Sequence, residues 1–357
     1  LFPSPTPAEE FMALIPTQRQ AFMQTLWDAG KASIDAGVVD ATIEERRRYW
    51  NIWCKFLQQN FVGITPYLEH NDGRPIDQAI LNRILASYAE FIWAGWHIDG
   101  VLAGTKQPKQ VRAATVAVAL QSISTRLELD GKKNVVVNNQ AKYHKPIADL
   151  LESYQRKDPA TQAQLAVPLD VIKHIEHKSR NGNNKQRAIG DMCVIAFFYL
   201  LRVGEYTVDS PKREEKKRTH SFRIEDVRLW EGNNILPLSL PLNELLQRCT
   251  AATLHLEDQK NGIRNQTIHQ EALLSEWYCP IKAIIRRVKH VFDTLEVDGT
   301  IPPLTPLCTY FHDTTNKPYQ VRSASISDEV KEAVEDLGLN FLGIPSDLVS
   351  SHSLRSG

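Results

Sequence analysis

Between Gln186 and Leu201 the chain reads QRAIGDMCVIAFFYLL, almost wholly apolar on every side of a helix rather than along one stripe. A helix with no wet face must be enclosed by protein or by lipid. Nowhere does the sequence reach 18 consecutive apolar residues, so no segment predicts a membrane span and this one predicts a central core helix. Such a core needs a sizeable domain; 357 residues is long for one domain and comfortable for two. A hydrophobic content of 42% with 24% charged residues fits a globular chain and excludes disordered and collagen-like classes. Cys54, Cys193, Cys249, Cys279 and Cys308 are odd in number, lie far apart and form no CxxC pair. Zinc ribbons and disulfide scaffolds are thereby excluded, and a reducing compartment fits.

Residues 1–7, LFPSPTP, read as a linker or disordered lead-in. An all-α bundle is expected over 8–156. Thr42 followed by Glu45 signals a capping box ahead of a helix with Tyr49, Trp50, Trp53, Phe56 and Leu57 at helical spacing. Asp77–Trp96 predicts a second helix with Ile80, Ile84, Leu85, Tyr88 and Ile92 on one side. Further helices are expected at Lys109–Leu129, closed by Asp130-Gly131, and at Lys145–Arg156. Residues 157–168, KDPATQAQLAVP, read as a linker. Beyond it, residues 169–357 mix helices (Leu169–Ser179, Gln186–Leu201, Pro280–Phe292, Ser325–Leu337) with strands. Ser221–Trp230 and Ile235–Leu238 predict one hairpin, and Thr250–Leu256 and Asn265–His269 a second, turning at DQKNG. The fold class expected is mainly α in two domains, the second α+β with small antiparallel hairpins.

The sequence holds no GxGxxG, GxxxxGKS, GxSxG or HExxH. His174 and His177 lie three apart on a helix but have no neighbouring ligand types, so they read as a solvated face; neither a metal nor a cofactor is expected. Three other places stand out. Arg202 ends the most apolar helix, and a guanidinium there cannot lose its charge and must find an anion. Glu205, another carboxylate and a ligand phosphate all remain open as that anion. Lys260 falls at a hairpin tip, where lysines are usually only solubilising. His352 and Arg355 lie three apart, on one face if helical.

Taken in order, these pieces resemble the tyrosine recombinase (phage integrase-like) family. LLRVGE, ending at Glu205, is similar to the family's first arginine box, in which a carboxylate follows the arginine by three. DQKNG between two strands resembles the hairpin that carries its lysine. LGIPSDLVSSHSLRSG resembles the second box, ISDEVKEAVEDLGL the helix leading into it, and EWYCPIKAIIRRV the helix after the hairpin. The texture is closest to transposon-borne, Crypton-like eukaryotic members. The resemblance implies a core-binding domain followed by a catalytic domain that cleaves and rejoins DNA through a phosphotyrosine intermediate. Arg202 and Arg355 would grip the phosphate oxygens, Lys260 would protonate the leaving 5′ oxygen, His352 would assist and Glu205 would orient the site. No ATP and no metal are required. The family's nucleophile follows the second box, and none of the ten tyrosines here follows His352. The chain is therefore expected to be truncated before the nucleophile, binding DNA without cutting it; a non-catalytic DNA-binding derivative and a helical scaffold are the alternatives.

Forty-two basic residues cancel forty-two acidic ones, which at first argues against a nucleic-acid partner. Charge is not evenly spread, however. Residues 100–157 hold ten Lys or Arg against four Asp or Glu, a second basic cluster spans 171–187, and 325–347 is acidic. Lys106, Lys109, Arg112, Lys142, Lys145, Lys173 and Arg187 are the expected phosphate contacts to double-stranded DNA. A dimer or tetramer on DNA, nuclear if eukaryotic and otherwise cytoplasmic, completes the expectation. PKREEKKR (211–218) reads as an inserted loop in preference to a nuclear-import signal, since Glu214 and Glu215 dilute the run.

Overall fold

Tyr49, Trp53, Phe56 and Leu57 fall at i, i+4, i+7 and i+8, and in the computed structural model all are buried on one face of a helix. The structure describes residues 15–36, 40–101, 103–160, 163–210, 214, 219–258, 264–273, 277–295, 302 and 304–356. The chain divides into two compact units, Leu1–Ala160 and Thr161–Gly357, so the boundary falls inside the expected linker. The molecule is mainly helical with a small antiparallel sheet. No described helix is long and apolar enough to cross a membrane.

The first unit holds α1 (Gln20–Ala36), α2 (Asp40–Asn60), α3 (Gln78–Trp93), α4 (Ala113–Leu129) and α5 (Lys145–Lys157). Its core centres on Trp53, whose Nε1 donates to the Pro66 carbonyl at 2.9 Å while Tyr88 meets the ring edge-on at 4.9 Å. Burying aromatic rings is worth about 2–3 kcal/mol each, so α2 is held by this face. Three expectations are corrected. Thr42 lies inside α2, which already runs from Asp40, so it is not the N-cap. On α3 the buried stripe is Leu81, Ile84, Leu85, Tyr88 and Ile92, while Ile80 is exposed. The helix expected from Lys109 starts only at Ala113, because Val111 N–H donates back to the Trp93 carbonyl and Lys109 passes close to Gly95. Gly95 has φ +83°, and a Cβ there would sit 2.1 Å from the Lys109 carbonyl oxygen, so only glycine fits. Asp158 then caps α4 from outside, both carboxylate oxygens accepting from Ala113 N–H at 3.2 and 2.9 Å. The expected linker thus starts too early: Lys157 belongs to α5 and Asp158 is structural.

The second unit is built around α7 (Asn184–Phe198), which packs on α6 (Leu169–Arg180). Ala188 to Ala196 are all buried, as an all-round apolar helix requires. Gly190 lets α6 approach closely; a Cβ there would lie 2.1 Å from Ser179 Oγ. After the short α8 (Val203–Tyr206) come β1 (Val227–Glu231), β2 (Asn234–Leu236), α9 (Leu242–Arg248), β3 (Ala251–Asp258) and β4 (Arg264–Glu271). The two expected hairpins form one antiparallel sheet in the order β2-β1-β3-β4, with Leu229 opposite Ala252 and Leu254 opposite Ile268. Strand β1 begins at Val227 rather than Ser221; Phe222 and Ile224 are buried in a segment that turns once before it. The chain continues through α10 (Pro280–Leu295), a hairpin of β5 (Thr309–Phe311) and β6 (Pro318–Gln320), α11 (Ser323–Leu337), α12 (Leu339–Leu342) and α13 (Ser353–Ser356). The β5–β6 hairpin and α9 had no counterpart among the sequence expectations.

One half-buried group is expected to make this unit acid-sensitive. His290 on α10 accepts the Phe311 N–H through Nε2 at 3.3 Å. Burial first, then the charges of Arg287 and Arg187, push its pKa from 6.5 down to about 4 against the opposing pull of Asp313 and Asp293. The folded ring therefore stays neutral where the unfolded one protonates. Its contribution to stability is complete above pH ~6.5 and is lost as pH falls toward 4, by up to about 3 kcal/mol. Denaturant unfolding of wild type and His290→Gln at several pH values checks this; the variant should lose less stability over that window, and equal losses would refute it.

Candidate functional site

Helix α7 stops where its apolar run meets Leu200, which turns left-handed at φ +53°. The stop is fixed against the sheet: Tyr199 O–H donates to the Ala252 carbonyl on β3 at 2.9 Å, and Gln270 Nε2 on β4 donates to the Phe198 carbonyl at 2.9 Å. Arg202 is delivered immediately afterwards as the first residue before α8. Its backbone N–H donates to Glu205 Oε2 at 2.7 Å and its Nη1 to Glu205 Oε1 at 3.1 Å. The Glu205 side chain is 5% exposed and that of Arg202 27%, so a buried carboxylate steers a guanidinium that still reaches solvent. Among the anions the sequence left open, Glu205 is one that Arg202 has found.

The second box meets this turn through the next residue. Tyr206 O–H, buried, donates to the Ser351 carbonyl at 3.1 Å across 145 residues of sequence. Around Ser351 the chain folds into a serine-rich turn: Ser350 N–H donates to Ser353 Oγ at 3.1 Å, Ser353 N–H to the Ser350 carbonyl at 2.9 Å, and His352 N–H to Ser350 Oγ at 3.2 Å. Ser353 and Leu354 are buried, and α13 packs on α7. His352 and Arg355, three apart, are both exposed. Among the described residues neither side chain has a hydrogen-bond or ion-pair partner. The turn carrying Arg202 and Glu205 is thus bonded to the turn carrying His352 and Arg355. Lys260 lies outside the described residues; the strands beside it are paired as far as Asp258 and Arg264.

Tyr206 itself is not available as a nucleophile, since its hydroxyl is buried and bonded and burial pushes its pKa far above the usual range. His174 pairs with Asp336 at 3.1 Å, and Lys178 with Glu332 at 2.6 Å, so part of the acidic α11 segment is neutralised by α6. Among the described residues no cluster of His, Cys, Asp and Glu could hold a metal ion.

The expected phosphate contacts divide into two groups. Lys106, Lys109, Arg112, Lys142 and Arg187 are exposed, and among the described residues none of them closes a salt bridge, although Arg187 acts electrostatically on the buried Asp191. Lys145 pairs with Asp149 at 3.1 Å, and Lys173 pairs with Asp170 at 3.6 Å and lies 5.4 Å over the Tyr278 ring. Exposed pairs of this kind are worth little and exchange readily for a phosphate.

Sequence reasoning missed two further charged features. In the first unit a groove of about 400 Å3 is lined by Arg47, Arg48, Asn51, Lys55 and His97, with Glu44 and Asp99 also on its wall. Arg47, Asn51 and Lys55 recur every four residues along α2, a stripe present in ERRRYWNIWCK but diluted there by Glu44 and Glu45. In the second unit a polar cavity of about 260 Å3 is lined by Lys185, Arg322, Asp209, Tyr310 and Tyr319. Comparison with family models and with curated protein sequences yields no match.

Proposed function

We propose that the chain binds double-stranded DNA and belongs to a recombinase that cleaves and rejoins strands through a phosphotyrosine intermediate. The observation that carries this reading is the bond between Tyr206 and Ser351, which joins two basic turns 145 residues apart in sequence. A guanidinium steered by a buried carboxylate, on a turn bonded to one whose exposed His and Arg have no side-chain partner among the described residues, suits an anion that gathers charge on its non-bridging oxygens. A phosphorane does so during strand transfer, and preorganised cations stabilise it without a metal. Arg202 and Arg355 would each grip an oxygen, and His352 would hydrogen-bond the same group. Glu205 keeps Arg202 in register. Lys260 would supply the proton to the departing 5′ oxygen. The first unit would act as the core-binding domain and the second as the catalytic domain, working as a homo-oligomer on DNA, in the nucleus if the source is eukaryotic.

Binding to duplex DNA by gel shift or anisotropy, repeated across salt, is the direct test. Affinity is expected to fall steeply as salt rises, with log K against log[salt] near −0.9 per phosphate neutralised. Arg47→Ala with Arg48→Ala should weaken binding to every sequence alike and make the slope shallower by roughly two. A wild-type chain that does not bind duplex DNA at low salt would overturn the reading.

A further inference from the structure

Helix α13 spans only Ser353–Ser356, too short to hold its own orientation. Something outside it must set where His352 and Arg355 point. The buried Leu354 anchors the turn to the core, and Val167 N–H reaches the Ser353 carbonyl at 3.5 Å. Those contacts fix depth but leave the residue before His352 to be fixed separately. That residue, Ser351, is buried and held at three atoms. Its carbonyl accepts from Tyr206 O–H at 3.1 Å, its N–H donates to Ser327 Oγ on α11 at 3.1 Å, and its Oγ lies 3.2 Å from Ser327 Oγ. One serine hydroxyl can accept from the amide while donating to the second hydroxyl, so the set is mutually satisfied.

Tyr206 follows Glu205 directly, so a single turn of helix carries both the carboxylate that steers Arg202 and the phenol that holds Ser351. We propose that Tyr206 and Ser327 are positioning residues, a two-sided latch on Ser351 that sets His352 and Arg355 at a fixed spacing from Arg202 so that both arginines meet one phosphate. This deepens the function proposed above and rests on it. The Tyr206 ring packs in an apolar cluster, where its hydroxyl must find a partner, and the partner it takes is the carbonyl of the residue before His352.

Tyr206→Phe keeps the ring and leaves the Ser351 carbonyl unpaired, which makes it the decisive variant. In a double-mutant cycle, duplex affinity is measured for wild type, Tyr206→Phe, Arg355→Ala and the double variant, at fixed salt and well below the melting temperature. Tyr206→Phe is expected to weaken binding about five- to tenfold in the wild-type background and less than about twofold when Arg355 is already alanine. Equal loss in both backgrounds, or none in the first, overturns the latch. Amide hydrogen exchange of the DNA-free chain makes the same test without a ligand. Exchange at His352–Arg355 should rise about tenfold or more in Tyr206→Phe while α7 is unchanged. Unchanged exchange there refutes the latch even if DNA binds, whereas faster exchange in a chain that binds no DNA leaves the latch standing as geometry and removes the recombinase reading.

Discussion

Asp191→Ala is expected to lower the free energy of unfolding by about 3–5 kcal/mol. Asp191 is the one acidic group inside the buried stretch of α7, and its Oδ1 accepts from Arg286 Nε at 2.8 Å. Arg286 also reaches Glu176 on α6 at 3.5 Å, and Arg180 closes the cluster at 2.8 Å from Glu176. Burial pushes both carboxyls above their ordinary pKa values, and the guanidiniums oppose it. Deleting Asp191 leaves Arg286 with the more distant Glu176 at 3.5 Å and takes from the buried Arg287 the carboxylate that offsets its charge; deleting Arg286 instead leaves two carboxylates facing each other. Because a domain is stable by only about 5–15 kcal/mol, either single change is severe. Replacing both at once, Asp191→Leu with Arg286→Met, is expected to recover only part of the loss, because the Asp191–Arg286 pair is then removed whole while the buried Arg287 still loses the Asp191 charge that offsets its own. Denaturant unfolding of the three variants checks the pattern. A double variant less stable than the worse single would show that the pair is not what the cluster depends on.

Arg202→Ala should reduce covalent protein–DNA adduct on a nicked duplex by about 10²–10³-fold or more, assayed with the protein at its full natural length. The loss combines two effects that have to be separated. Removing the guanidinium takes away the proposed phosphate contact, and among the described residues it also leaves the buried Glu205 carboxylate with the backbone N–H of residue 202 as its one hydrogen-bond donor. Arg202→Lys restores charge but not the fork, so it should recover stability more than adduct. Glu205→Gln keeps an acceptor for that backbone N–H and should fold, yet it would loosen the guanidinium. Wild-type adduct from Arg202→Ala would sink the role given to it.

Much of this arrangement is legible from residue order. The run QRAIGDMCVIAFF has no polar stripe, and from Ala188 to Ala196 it folds as a helix buried all round. The aromatic spacing in α2 and the i, i+3 relation of Arg202 to Glu205 are local, and local geometry follows from sequence. Helix ends are less readable: nothing near Lys109 announces that Gly95 and Asp158, both distant, delay α4 to Ala113. Strand alternation was visible, but the pairing of β1 with β3 joins segments separated by α9 and has no local signature. The bond from Tyr206 to Ser351 is of the same kind. The stripe of Arg47 and Lys55 was hidden differently, since counting charge along the chain averages it with the neighbouring Glu44 and Glu45, and Glu44 shares its groove.

Asp158 has a consequence for synthesis. Its carboxylate ties the start of α4 to a point 45 residues later, so the segment between them is a closed lasso rather than a string of independent helices. While the chain is still emerging from the ribosome, α4 can form, but its first turn stays uncapped until Asp158 has cleared the exit tunnel. Closing that loop costs only a few kcal/mol of chain entropy, and domains generally fold as units, N-terminal first. The first unit should therefore reach its final protection from proteases only after the residues between the two units have been made.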